Sequence, residues 1–142
     1  MEKEFIPYTE ALTLKELGFD EPCFAYFKDE EFQYPNPYEP FKNSEMKSWC
    51  ITAPLYSQAF RWFRERHNIF PEILTDCTTY PKFCYTYTRF FGNPKDLASE
   101  EWGWENNVGK SSLLYTSYGE AEFYCLDEMI GIIEKLKGED KK

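Results

Sequence analysis

The sequence predicts a single α+β domain over 1–142, an antiparallel sheet covered by helices in the order α-ββ-α-ββ-α, with residues 1–4 and 138–142 frayed. Three observations carry this expectation. Three segments repeat apolar residues at the helical period. Pairs of short runs rich in aromatic and β-branched residues lie between them, each pair divided by a turn signal. No linker or internal repeat interrupts the chain, and its 142 residues suit one core without staples.

The elements follow in order. In "YTEALTLKELGFDEP", Thr9 is the expected N-cap and Glu10 suits the positive end of a helix. Ala11, Leu14 and Leu17 form its apolar stripe. Gly18 is the left-handed stop, and Phe19 falls where a Schellman cap sets an apolar residue against Leu14. Cys23 to Phe27 reads as a strand, Asp29 to Glu31 as a turn, and Phe32 to Tyr34 as the returning strand. The proline-rich "PNPYEPFKNSEMK" predicts a wrapping loop, and "SWCI" a short strand. A helix is expected from Thr52 or Ala53, with Pro54 in its first turn and Asn68 as its stop. Tyr56, Ala59, Phe60 and Phe63 share its apolar face, with His67 one turn on.

"FPEILTD" and "FCYTYTRFF" read as two strands joined by a turn. In the second, Phe83, Tyr85, Tyr87, Arg89 and Phe91 alternate with Cys84, Thr86, Thr88 and Phe90. The polar stretch "GNPKDLASEEWGWENNVGKSS" is expected to be a long loop. The final helix opens on a capping box, Ser117 with Glu120. Its stripe is Ala121, Cys125, Met129, Ile132 and Leu136, widened by Tyr124 and Ile133.

Two compositional features stand out, 20% aromatic residues and a formal net charge of -9. The negative charge disfavours generic nucleic-acid binding and anionic membrane surfaces, both of which need Lys and Arg. It favours a basic partner. The five cysteines include no Cys-x-x-Cys pair, and one histidine supplies a zinc site poorly, so no metal or other cofactor is expected. Reduced, mostly buried cysteines in a cytoplasmic protein are the simpler reading. The N-terminus lacks a signal-peptide core, and no apolar run reaches membrane-spanning length.

Candidate sites are few. "WENNVGKSS" has five residues between Gly103 and Gly109, one more than a phosphate loop requires. His67 lies on an apolar stripe, where a core histidine accounts for it as well as an acid, base or ligand does. No cysteine sits in a nucleophile motif, and no catalytic residue is assigned. On the middle helix the aromatic residues are explained by core packing. Trp62 lies off that stripe beside Arg66, a combination typical of interface hot spots. Trp102 and Trp104, beside Glu100 and Glu101, sit where no regular element forces burial. The expected contact surface is therefore Trp62, Arg66, Glu100, Glu101, Trp102 and Trp104. An alternative is a small-ligand sponge or carrier for a signalling nucleotide, with aromatic rings stacking a base and Arg61, Arg64 or Arg89 holding phosphate.

Three stretches, "EALTLKELGFDEPCFAYF", "APLYSQAFRWFRER" and "GEAEFYCLDEMIGII", resemble a family of small phage and prophage proteins from Bacteroides-like and Flavobacterium-like bacteria. They cover roughly the first quarter, the middle helix and the last helix, while Asn93 to Leu114 falls outside the pattern. The resemblance brings no catalytic residue. It implies a phage accessory protein working in the bacterial cytoplasm, similar in size and charge to anti-CRISPR inhibitors. The expected function is a non-enzymatic protein that binds and inhibits a bacterial protein or ribonucleoprotein defence complex, such as an RNA-guided nuclease.

Overall fold

The computed structural model describes residues 2–34, 39–76, 82–90, 106–111 and 113–140. Among these residues three α-helices and two three-stranded antiparallel sheets give the expected α+β class. The elements are α1 (Tyr8–Glu16), β1 (Ala25–Lys28), β2 (Glu31–Gln33), β3 (Cys50–Ala53), α2 (Tyr56–His67), β4 (Ile69–Asp76), β5 (Lys82–Phe90), β6 (Asn106–Lys110) and α3 (Tyr118–Asp140). Each expected strand pair has a third strand, so two sheets replace the one expected. The residues gather into two compact units, Met1–Trp62 with Leu126–Lys142, and Phe63–Cys125.

In the first unit, α1 starts one residue before Thr9, with Pro7 at the N-cap position. Its other end forms the Schellman geometry read from the sequence. Gly18 has φ +100°, Phe19 N–H donates to Leu14 O at 2.9 Å, and Gly18 N–H donates to Lys15 O at 3.1 Å. Phe19 is thereby fixed in the core. The sheet order is β2-β1-β3. The β1–β2 hairpin turns on two residues, Asp29 and Glu30, with φ 50° and 69°. Positive φ at both central positions is the type I′ requirement, met here without the usual Asn-Gly. Asn43 ties the sheet to α1. Its buried amide donates to Phe19 O at 2.8 Å and accepts from Thr52 N–H at 3.0 Å.

The middle helix begins later than expected, because β3 extends through Ala53 and the helix starts at Tyr56. Its apolar stripe holds, with Tyr56, Ala59, Phe60 and Phe63 all buried. Asn68 stops it with φ 54°. In α3 the buried stripe is Ala121, Cys125, Leu126, Met129, Ile130 and Ile133. Ile132 and Leu136 lie half-buried at its border, and the helix extends through Asp140. Near the other terminus Glu2–Glu4 form a 3-10 turn.

In the second unit the order is β4-β5-β6. Asn106–Lys110, expected to be loop, is a strand. Its Gly109 lies opposite Tyr87, and a Cβ there would overlap the Tyr87 ring. A glycine read as part of a phosphate-loop-like pattern is instead the floor on which a cross-strand aromatic ring lies. No helix among the described residues is long and apolar enough to cross a membrane.

Candidate protein-binding surface

The second unit carries an aromatic surface built on the first half of β5. Phe83 and Tyr85 project to one face of that strand, two residues apart. The segment after β6 pairs with them at two places. Ser111 N–H donates to Tyr85 O at 2.9 Å, and Phe83 and Tyr115 exchange both backbone bonds at 2.9 and 2.7 Å. From Ser111 to Tyr115 the chain advances four residues, whereas β5 advances two. The extra length must leave the ladder, as in a bulge. Ser111 shapes this excursion, since its Oγ accepts from Tyr85 N–H and donates to Leu113 O, both at 3.1 Å. Leu113 and Leu114 are pushed outward and stand 64% and 46% exposed.

Behind the bulge three tyrosines stack. Tyr85 and Tyr115 lie 6.2 Å apart at 12°, and Tyr115 and Tyr124 lie 4.9 Å apart at 12°. The ladder runs from buried Tyr85 to Tyr124 on α3, which is 43% exposed. Phe123 meets Tyr124 edge-on at 5.3 Å. Tyr118 packs its ring edge-on against Phe83 at 5.9 Å, yet is half exposed. Partial burial pushes the Tyr118 phenol up, and the charge of Glu122 adds to the rise. Helix α3 is held at this end by Ser117, whose Oγ accepts from Glu120 N–H at 3.1 Å. The reciprocal half of the expected capping box is replaced, because the Glu120 carboxylate accepts from the Thr116 hydroxyl at 3.1 Å.

The residues expected to form a contact surface are placed differently. Trp62 is only 4% exposed, with its ring edge-to-face with Phe19 at 5.6 Å. It leaves the α2 stripe by about a quarter turn, but the Schellman cap of α1 delivers Phe19 to that flank. Trp62 is therefore core, covered from that flank, rather than part of the expected contact surface. Arg66 is exposed in the last turn of α2. Glu100, Glu101, Trp102 and Trp104 lie outside the described residues. Of the alternative phosphate-holding set, Arg61 is exposed and Arg64 half-buried one turn apart on α2, while Arg89 is half-buried on β5 opposite Ile69 and Asn107.

His67 is half-buried with its ring 5.9 Å from Phe63, in keeping with a boundary histidine. Cys23, Cys50 and Cys84 are free thiols, and Cys23, Cys84 and Cys125 are buried. Burial pushes the Cys23 thiol up to about 12, against a smaller opposing effect of Thr52. A thiol so protonated at neutral pH is a poor nucleophile. Among the described residues no group of three or more His, Cys, Asp or Glu side chains is placed to hold a metal ion.

The sequence carried a faint signal for the exposed surface, namely two consecutive leucines in a polar segment before a helix cap. Tyr124, expected to widen the apolar stripe of α3, lies at its edge, stacked on Tyr115. The fold and surface together define a small acidic α+β protein with an exposed Tyr/Leu face. No family model, curated protein or solved structure matches the chain.

Proposed function

We propose that this chain is a non-enzymatic binding protein of phage type that engages and inhibits a bacterial defence complex, such as an RNA-guided nuclease. The observation that carries the reading is that Leu113, Leu114, Tyr118 and Tyr124, close in sequence around the start of α3, all stand exposed. Large apolar side chains gathered at a surface mark contact sites, and tyrosine is enriched among interface hot spots. The net charge of -9 supports a basic partner and raises its association rate. The resemblance to phage and prophage proteins supports the choice of a host-defence target.

The test is capture from bacterial lysates expressing candidate defence systems, with a Leu113→Asp/Leu114→Asp variant alongside. The wild type is expected to retain a defence component and to lower host immunity when expressed. The variant is expected to fold and to lose both effects. Recovery of no defence component, with immunity intact, refutes the proposal.

A further inference from the structure

From the open end of the tyrosine ladder we infer that Tyr124 and Glu120 form a niche for an arginine side chain of the partner. The inference rests on the reading of this face as a protein-binding surface and names the chemistry of what it takes. Tyr124 is held by its parallel stack on Tyr115 and by the edge contact of Phe123, so its ring is fixed although 43% exposed. A fixed, exposed ring presents a π-face at low entropic cost. Glu120 lies four residues earlier on α3, and side chains at that spacing are neighbours on a helix surface. Its carboxylate is also oriented, since one oxygen accepts from Thr116.

A planar cation satisfies both groups together. A guanidinium stacks flat on an aromatic ring while its N–H fork reaches a carboxylate, which a compact ammonium does less well. A nucleobase would also stack on Tyr124, but its phosphate would meet Glu120 on a chain of net charge -9. The charge balance therefore selects a basic protein segment.

The experiment compares fluorescein-labelled oligo-arginine and oligo-lysine peptides of equal length binding to the full chain at physiological ionic strength. General attraction to an acidic surface acts on both peptides and is little moved by the substitutions below, whereas the niche adds a preference for arginine of about fivefold from the strength of an exposed cation–π contact with a paired carboxylate. Tyr124→Leu and Glu120→Gln should each reduce that preference toward unity, with unchanged circular dichroism. Should Tyr124→Leu fail to fold, Glu120→Gln decides alone, because that side chain is exposed. Equal affinity for both peptides, absence of oligo-arginine binding, or an arginine preference that survives the substitutions overturns the inference. So does saturable binding of AMP that Tyr124→Leu abolishes without any arginine preference, which would give the ring to a nucleobase. An arginine preference that behaves as expected, in a chain that captures no defence component, leaves the niche standing and removes the defence target alone.

Discussion

Replacing Trp62 by alanine tests whether this indole is core or contact surface. The side chain is 4% exposed and edge-to-face with Phe19. A buried tryptophan removes about 200 Å² from water, and at roughly 25 cal/mol per Å² its burial is worth up to about 5 kcal/mol. A denatured chain that already shields part of this area lowers the figure. The lost pairing with Phe19 adds about 1 kcal/mol, and measured Trp→Ala changes in cores cost about 3–5 kcal/mol. The expected loss for Trp62→Ala is therefore about 4 kcal/mol. It would be read from guanidinium unfolding followed by far-UV circular dichroism, with a fall in Tm on the order of 10 °C. Trp62→Phe keeps an aromatic partner for Phe19 and should cost about half as much. A loss below about 1 kcal/mol for the alanine variant would refute the core assignment and return Trp62 to the surface.

Three further outcomes are expected. Asn43→Ala removes a buried amide and orphans its two partners, Phe19 O and Thr52 N–H; at about 1–3 kcal/mol per unsatisfied group, a loss near 3 kcal/mol is expected in chemical denaturation, and a loss under 1 kcal/mol would contradict it. Gly109→Ala drives a methyl group into the Tyr87 ring, so a loss of about 1–3 kcal/mol is expected, and Tyr87→Ala in the same background should recover part of it, as a double-mutant cycle would show. Burial raises the Glu10 carboxyl, its own backbone N–H opposes this by less, and the charge of Asp127 adds to the rise. The folded state thus holds the Glu10 proton more tightly than the unfolded chain, so this contribution is best in acid and declines as pH rises from the ordinary glutamate range through the raised folded value. Glu10→Gln should accordingly raise Tm at neutral pH and lose its advantage below the ordinary range; an advantage unchanged across that interval would refute the linkage.

The sequence by itself determined the helices, their stops and the α+β class. Gly18 with Phe19, Asn68 and Ser117 are local signals, each acting within a few residues through φ or a backbone bond. The stripe of Tyr56, Ala59, Phe60 and Phe63 follows equally from the period of the helix. Both faces of β5 also follow from alternation. What the sequence did not determine was which of two aromatics is covered. Trp62 lies off the stripe of α2, whereas Tyr124 widens the stripe of α3, so local pattern favours cover for Tyr124. The tertiary structure reverses this, since Phe19 reaches the flank of Trp62 and leaves it 4% exposed, while Tyr124, touched by Tyr115 and Phe123, stays 43% exposed. The strand Asn106–Lys110 was hidden for a similar reason. Its asparagines, glycine and lysine have low strand propensity, and it forms because β5 offers an edge and Tyr87 offers a ring to cover Gly109. Caps and periods are fixed by neighbours along the chain, whereas burial and edge pairing are fixed by surfaces supplied from distant residues, which no local pattern specifies.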